Sequence, residues 1–472
     1  MARLSNSNCL VYAISVFAAL AGLLFGYDTG IISGAILFIK KDFALSAFQI
    51  EVVVSAVLLG ALIGSGLSGR LTDRFGRRKV LVFTAVTFII GSLSTAFAPN
   101  INCLVIGRII LGVAIGVGSF TAPLYLAEIA PQRIRGMLVS LNQLAVTIGI
   151  VFSYLINYYF SAHGRWPWML GLGVVPAVIL LLGTLFLPES PRWMILKGWE
   201  HKARAILQDI RVGENINKEF SEIQQTVHME KGSHRLLLAK WVRPILFISL
   251  GLSFFQQVTG INTIIYYAPT ILQMAGFKQA GGAILATLGV GVINVLFTII
   301  ALPLIDRWGR RPLLLLGLSG MFISLTVMGI AFYYPGFAAL RWVAVGSMVI
   351  YIASFAISLG PIMWLIISEI FPLNIRGVGA SLAISVSWGF NMLVALTFLT
   401  LIQLMGPSHT FWLYAFLCIL GWIFVYFIVP ETKGCSLEQI EQNLRLGRPS
   451  RELGIPSSKF STSNKQKSSF LL

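Results

Sequence analysis

Runs of roughly 20 mostly apolar residues, each long enough to cross a hydrocarbon layer as a helix, recur along this 472-residue chain with mostly short polar turns between them. In lipid every backbone polar group must be satisfied internally, so such runs fold as a bundle of spanning helices. The composition agrees, with 56% of residues hydrophobic and 11% charged, against about a quarter charged in soluble domains. Mean hydropathy is +0.82. That balance excludes a soluble enzyme and a disordered chain.

Twelve spans are expected, near residues 10–38, 51–71, 79–98, 103–127, 137–160 and 168–187, then 243–274, 282–305, 312–334, 341–370, 378–405 and 410–429. The first is too long for a signal-peptide core, so it is expected to remain in place. An even number puts both termini on one side. The net charge of +17 then has a simple reading. On the side opposite the termini the loops carry only Lys40, Lys41, Arg165, Lys278 and Arg341, and Arg108 lies inside a span. All other basic residues fall on the terminal side, which is the positive-inside pattern of a cytoplasmic face. The excess reports topology, and no nucleic-acid partner is expected. Cys9, Cys103, Cys418 and Cys435 are scattered, with no metal-ligand or disulfide spacing.

Four regions are expected: a six-helix bundle over 1–187, a cytoplasmic linker over 188–242, a second bundle over 243–430 and a partly disordered tail over 431–472. In the linker Ala203, Ile206, Leu207 and Ile210, then Phe220, Ile223 and Val227, recur at helical spacing, which predicts short amphipathic helices. The Ser-rich stretch SSKFSTSNKQKSS near the end is too polar to fold.

The bundles repeat each other. DRFGRR at 73–78 returns as DRWGRR at 306–311, EIAPQRIRG at 128–136 as EIFPLNIRG at 369–377, and PESPR at 188 as PETKG at 430. The order is the same and every box ends a helix on the terminal side, so the halves share one orientation. Parallel halves of this kind are an arrangement that transporters use, with a site between them near the midplane.

With GLLFGYDTG at 22–30, GRLTDRFGRR at 69–78, QQVTGIN at 256–262 and the two E-I-x-P-x-x-I-R-G boxes, the chain resembles the sugar porter family of the major facilitator superfamily over about 22–434. The resemblance implies an all-α membrane protein of twelve transmembrane helices in two pseudo-symmetric six-helix bundles. It also implies a secondary active transporter rather than an enzyme, moving a monosaccharide with a proton by alternating access. An uncoupled facilitator or a cyclitol carrier of the same fold is the nearest rival. An ATP-driven pump is disfavoured because no GxxxxGK[ST] loop occurs, and a sensor because the tail is short. The expected partners are a sugar, a proton and the lipid bilayer, in a monomer at the cell membrane, with no cofactor and no metal.

Asp28 and Arg108 are the charges placed well inside spans, where each costs roughly 2.5 to 3.5 kcal/mol on the insertion scale. Opposite signs suggest a pair. Burial favours the neutral acid and a guanidinium favours the carboxylate, so such an acid exchanges a proton as the pair opens and closes. In bacterial symporters of the family the matching residues are the proton-coupling pair, whereas human facilitative carriers have Asn at the acidic position.

Sugars need donors, acceptors and apolar ring platforms. The candidates are Gln143, Gln256, Gln257, Asn262, Asn294, Trp364, Trp388 and Asn391, to which the resemblance adds Phe25 and Tyr267. Gln256, Gln257 and Asn262 do not share one face of a straight helix, so Gly260 is expected to break it. Gly360 and Pro361 are expected to disrupt the tenth span. Two departures bear on specificity: relatives often carry an amide where this chain has Ser387, and human carriers an acid near Ala356. A second constellation, Asp73, Arg77, Glu128 and Arg135 with Asp306, Arg310, Glu369 and Arg376, is expected to be a cytoplasmic gating network. Gly112, Gly116 and Gly118 sit inside a span and read as helix packing rather than a nucleotide loop.

Overall fold

The computed structural model describes residues 2–131, 135–211, 216–217, 220–221, 223–224, 239–334, 336, 339–372, 375–435 and 437–454, all helical or loop, with no strand among them. Val227 and the polar tail expected to be disordered lie outside the described residues.

The first half comprises α1 (Ala2–Asp42), α2 (Ala47–Phe75), α3 (Arg77–Ala96), α4 (Ile101–Ile129), α5 (Arg135–Ser161) and a sixth span made of α6 (Trp166–Gly171) and α7 (Val174–Phe186). Two short helices follow, α8 (Pro191–Leu196) and α9 (Glu200–Ile210). The second half has α10 (Arg243–Val258), α11 (Ile261–Met274), α12 (Ala280–Trp308), α13 (Arg310–Tyr333), α14 (Leu340–Ala356), α15 (Leu359–Ile370) and α16 (Arg376–Phe427), followed by α17 (Leu437–Arg445). Of these, α10 with α11 and α14 with α15 each form one interrupted span. Helix α16 is two spans. It has 52 residues, far more than a bilayer accommodates, and Gly406 (φ 80°, ψ 162°), followed by Pro407, turns the chain back between them. Twelve crossings result.

The turns carry local signals. Ser46 and Gln49 form a reciprocal capping box at the start of α2, and the Asn100 side chain accepts from the Cys103 N–H at the start of α4. Helices α2 and α4 touch backbone to backbone. A methyl group on Gly112 would meet Gly60 Cα at 2.8 Å, and one on Gly116 would meet Ala61 Cα at 2.8 Å, so only glycine permits this approach. Helix α9 buries Ala203, Leu207 and Ile210, the stripe expected from its spacing, and the Arg204 guanidinium lies 4.7 Å from the ring centre of buried Phe220.

The halves meet where α2 packs on the first leg of α16, α5 on α12, and α1 on α11. All six repeat boxes lie at one end of the bundle. At the other end Glu51 of α2 accepts hydrogen bonds from Thr400 of α16, tying the two halves together.

Candidate functional site

Arg108 and Asp28 are both buried, at 0% and 3% exposure, and Arg108 Nη1 donates to Asp28 Oδ1 at 2.5 Å. Arg108 does not extend to a surface. Its Nε donates to the Val53 carbonyl at 3.3 Å, and its Nη2 has no partner among the described residues. The pair therefore joins α1, α2 and α4. The Nη2 group of the guanidinium is left to follow the carboxylate or hold a water.

Asp28 faces a narrow cleft lined by Phe25, Thr29, Val57, Leu58, Ala61, Ile115, Tyr266 and Trp388. The rings of Phe25 and Trp388 meet edge to face at 5.2 Å across the two halves. Trp388 Nε1 is buried without a partner among the described residues, as is Asn391 Oδ1, and the Asn391 amide donates to the Tyr266 hydroxyl at 3.5 Å. Unsatisfied polar atoms beside an aromatic face suit a ligand that supplies hydroxyl groups. The cleft places Trp388 and the carboxylate of the ion pair in one space, with Asn391 bonded to its lining residue Tyr266.

Gly260 adopts a left-handed conformation (φ 95°, ψ 16°) between α10 and α11, which a side chain would resist. The break brings the three amides together. Gln257 Oε1 accepts from Asn262 Nδ2 at 2.6 Å, and Gln257 Nε2 donates to Gln256 Oε1 at 3.0 Å and to Ser387 Oγ at 2.8 Å. Gln256 Nε2 donates to the Leu359 carbonyl at 3.0 Å. That carbonyl belongs to the first turn of α15, where Pro361 is tolerated because no helical bond is lost. The interruption of the tenth span falls at Ile357 and Ser358, just before the expected Gly360 and Pro361.

The other candidates stand apart. Asn294 lines a second cleft with Tyr154, Ile264 and Val290. Tyr267 is buried and donates to the Ala395 carbonyl at 2.9 Å. Gln143 is half-buried on α5 and makes no side-chain hydrogen bond among the described residues, and Trp364 is partly exposed on α15.

At the repeat-box end each half builds the same device. Arg77 Nη2 donates to Glu128 Oε1 at 2.9 Å and Arg310 Nη2 to Glu369 Oε1 at 2.8 Å, with Asp73 and Asp306 at 3.7 and 3.8 Å from their arginines. These bonds run within each half. The side chains of Arg135 and Arg376 lie outside the described residues. Two glutamates outside the expected network complete the device. Glu189 Oε1 accepts the backbone N–H groups of Arg77 and Arg78 at the start of α3, and Glu431 accepts those of Arg310 and Arg311 at the start of α13. A carboxylate on a helix N-terminus is the favourable electrostatic arrangement. Burial pushes the Glu189 carboxyl up, while the backbone bonds and Arg77 oppose that shift. The signal lay in the repeat itself, since P-E-S and P-E-T are the glutamates' own boxes. Tyr266 and Glu51 carry weaker signals: one is the neighbour of Tyr267, and the other sits on a span boundary.

The sequence signature of the family described as "Sugar (and other) transporter" matches residues 14–444. The chain is 47% identical to the putative metabolite transport protein YwtG of Bacillus subtilis (strain 168), over 93% of this chain and 96% of that protein. It is 46% identical to a D-xylose transporter of Levilactobacillus brevis (91% and 94% covered) and 41% identical to the galactose-proton symporter of Escherichia coli K12 (95% and 97%). Among solved structures, a partially occluded inward-open form of the E. coli xylose transporter XylE superposes with a TM-score of 0.81 at 33% identity, covering 90% of this chain and 99% of that one. The proton:xylose symporter XylE bound to 6-bromo-6-deoxy-D-glucose gives 0.80 at 34% identity, covering 92% and 99%.

Proposed function

Because the chain belongs to the sugar transporter family of the major facilitator superfamily, we propose that it carries a monosaccharide, a hexose or a pentose, across the cell membrane together with a proton by alternating access. The observation that carries this reading is the buried Asp28–Arg108 pair, whose acid lines the cleft of Phe25, Tyr266 and Trp388. A facilitator has no need of an ionisable pair where burial is so costly. The printed functions of the relatives, D-xylose transport and galactose-proton symport, support the same cargo class.

Protonation of Asp28 removes the charge that Arg108 Nη1 binds and frees α1 to move against α4. Sugar hydroxyls would be met by the amides of Gln256, Gln257, Asn262 and Asn391, with Gln143 and Asn294 joining as the halves close, and its ring faces by Phe25, Trp388 and Trp364, while Tyr267 holds the surrounding helices. Proton and sugar drive the cycle only through their different affinities for its two states. The repeat-box end is cytoplasmic in this reading, as are both termini. The arginine–carboxylate groups there, with Arg135 and Arg376, act as a gating network. The capped, paired helix ends of each half are the rigid surfaces that would dock when the outside opens. The monomer suffices, since one chain carries the whole pathway.

The test is Asp28→Asn in proteoliposomes. Gradient-driven accumulation of a labelled hexose or pentose is expected to vanish while counterflow exchange persists. Unchanged accumulation would overturn proton coupling, and no uptake of any hexose or pentose by the parent protein would overturn the cargo class.

A further inference from the structure

Glu51 is fully buried, yet it lies one turn into α2 at the end of the bundle opposite the repeat boxes. Both carboxylate oxygens are held by one residue of the other half. Thr400 donates its backbone N–H to Oε1 at 2.7 Å and its hydroxyl to Oε2 at 2.6 Å. No cation pairs with Glu51 among the described residues. Its buried neighbours with titratable groups are Tyr267 and Tyr414.

Taking a carboxylate out of water with only neutral donors to meet it is a poor way to glue two surfaces that never separate. An apolar pair of similar size would hold at least as well. The pseudo-symmetric contact, α5 on α12, is built without such a charge. Counting from the DRFGRR and DRWGRR boxes, the place of Glu51 is taken in the second half by Ile284; counting from the EIAPQRIRG and EIFPLNIRG boxes, the place of Thr400 is taken in the first half by Tyr159, which is exposed. The caps and the arginine pairs recur in both halves, so they belong to the architecture. The Glu51–Thr400 contact occurs once and spans the interface.

We propose that Glu51 and Thr400 are a reversible latch on the outer gate, which sets how readily the halves part toward the outside. When shut, the latch gives each buried carboxylate oxygen one charge-assisted hydrogen bond. When the halves part, the carboxylate regains its hydration, which offsets the lost bonds and keeps the opened state within reach. This inference rests on the alternating-access reading above, though not on the identity of the cargo or on proton coupling.

The test measures gate opening directly. In a variant whose native cysteines are replaced, spin labels are placed at exposed positions 48 and 403, on either side of the contact, and their distance distribution is recorded in nanodiscs without sugar or proton gradient. Thr400→Val leaves one buried carboxylate oxygen unmatched when shut, and is expected to raise the long-distance (open) fraction relative to the short by roughly tenfold. Thr400→Ser keeps the hydroxyl and should match the parent. The double variant Glu51→Leu/Thr400→Val replaces the latch by an apolar contact with no hydration to regain, and should return the gate to the short distance or beyond. Equal distributions in all four folded proteins would overturn the latch, as would opening by the double variant as large as that of Thr400→Val. Because no transport is measured, a failure of the sugar or proton assignment leaves this result standing, and the reverse also holds.

Discussion

Asp28 and Arg108 cannot be understood one at a time. Each alone would be an uncompensated charge in the bundle, and the 2.5 Å contact is what permits both. Removing one partner of a buried pair typically costs about 3–5 kcal/mol, more than removing both. Arg108→Met is therefore expected to lower thermal stability in detergent sharply, and adding Asp28→Asn should restore most of the loss. Equal unfolding temperatures for the single and double variants would show that the pair does not couple. Ser387 teaches a similar lesson. Where relatives often carry an amide, Ser387 accepts a hydrogen bond from Gln257 Nε2, so a hydroxyl at that position holds the glutamine side chain.

Helices at the site are interrupted where lines of amides must converge. The break at Gly260 rotates Asn262 onto Gln257, and the break before Leu359 exposes the carbonyl that Gln256 uses. Gly260→Ala would force a side chain into a left-handed conformation at a cost of about 1–2 kcal/mol, with its Cβ 3.0 Å from the Tyr414 ring. The α10–α11 junction should straighten in response and separate Gln257 from Asn262. The expected outcome is an apparent sugar affinity roughly tenfold weaker, each tenfold corresponding to about 1.4 kcal/mol. Equilibrium binding followed by tryptophan fluorescence checks it; an unchanged affinity would show that the break is not needed for binding.

For the complete bundle the decisive property is that the two halves are built alike but joined unalike. Capped, arginine-paired helix ends stand at the repeat-box end of both, and contact across the halves includes the Glu51 bonds at the other end. If the repeat-box end faces the cytoplasm, single cysteines at positions 40 and 278 should react with an impermeant maleimide on intact cells. Cysteines at positions 79 and 445 should react only after permeabilisation. All four residues are exposed, so access alone decides the outcome, and the reverse pattern would invert the topology.

Much of this was legible in order of residues alone. Spans are legible because lipid tolerates no unsatisfied backbone, which leaves an apolar run one structure to adopt. The turn between the spans 378–405 and 410–429, the break at Gly260 and the two intramembrane charges follow from the same constraint: each interrupts the apolar pattern and needs a reason. Beyond Asp28 and Arg108, whose opposite charges point to each other, partner choice was not legible in this way. Nothing in the order of residues says that Glu51 meets Thr400, that Glu189 caps α3, that Ser387 joins the glutamines, or that Asn294 turns to a different cleft from Trp388. Those contacts join segments tens to hundreds of residues apart, and a hydrogen bond between them depends on the packing angle of whole helices, a property that local composition does not encode.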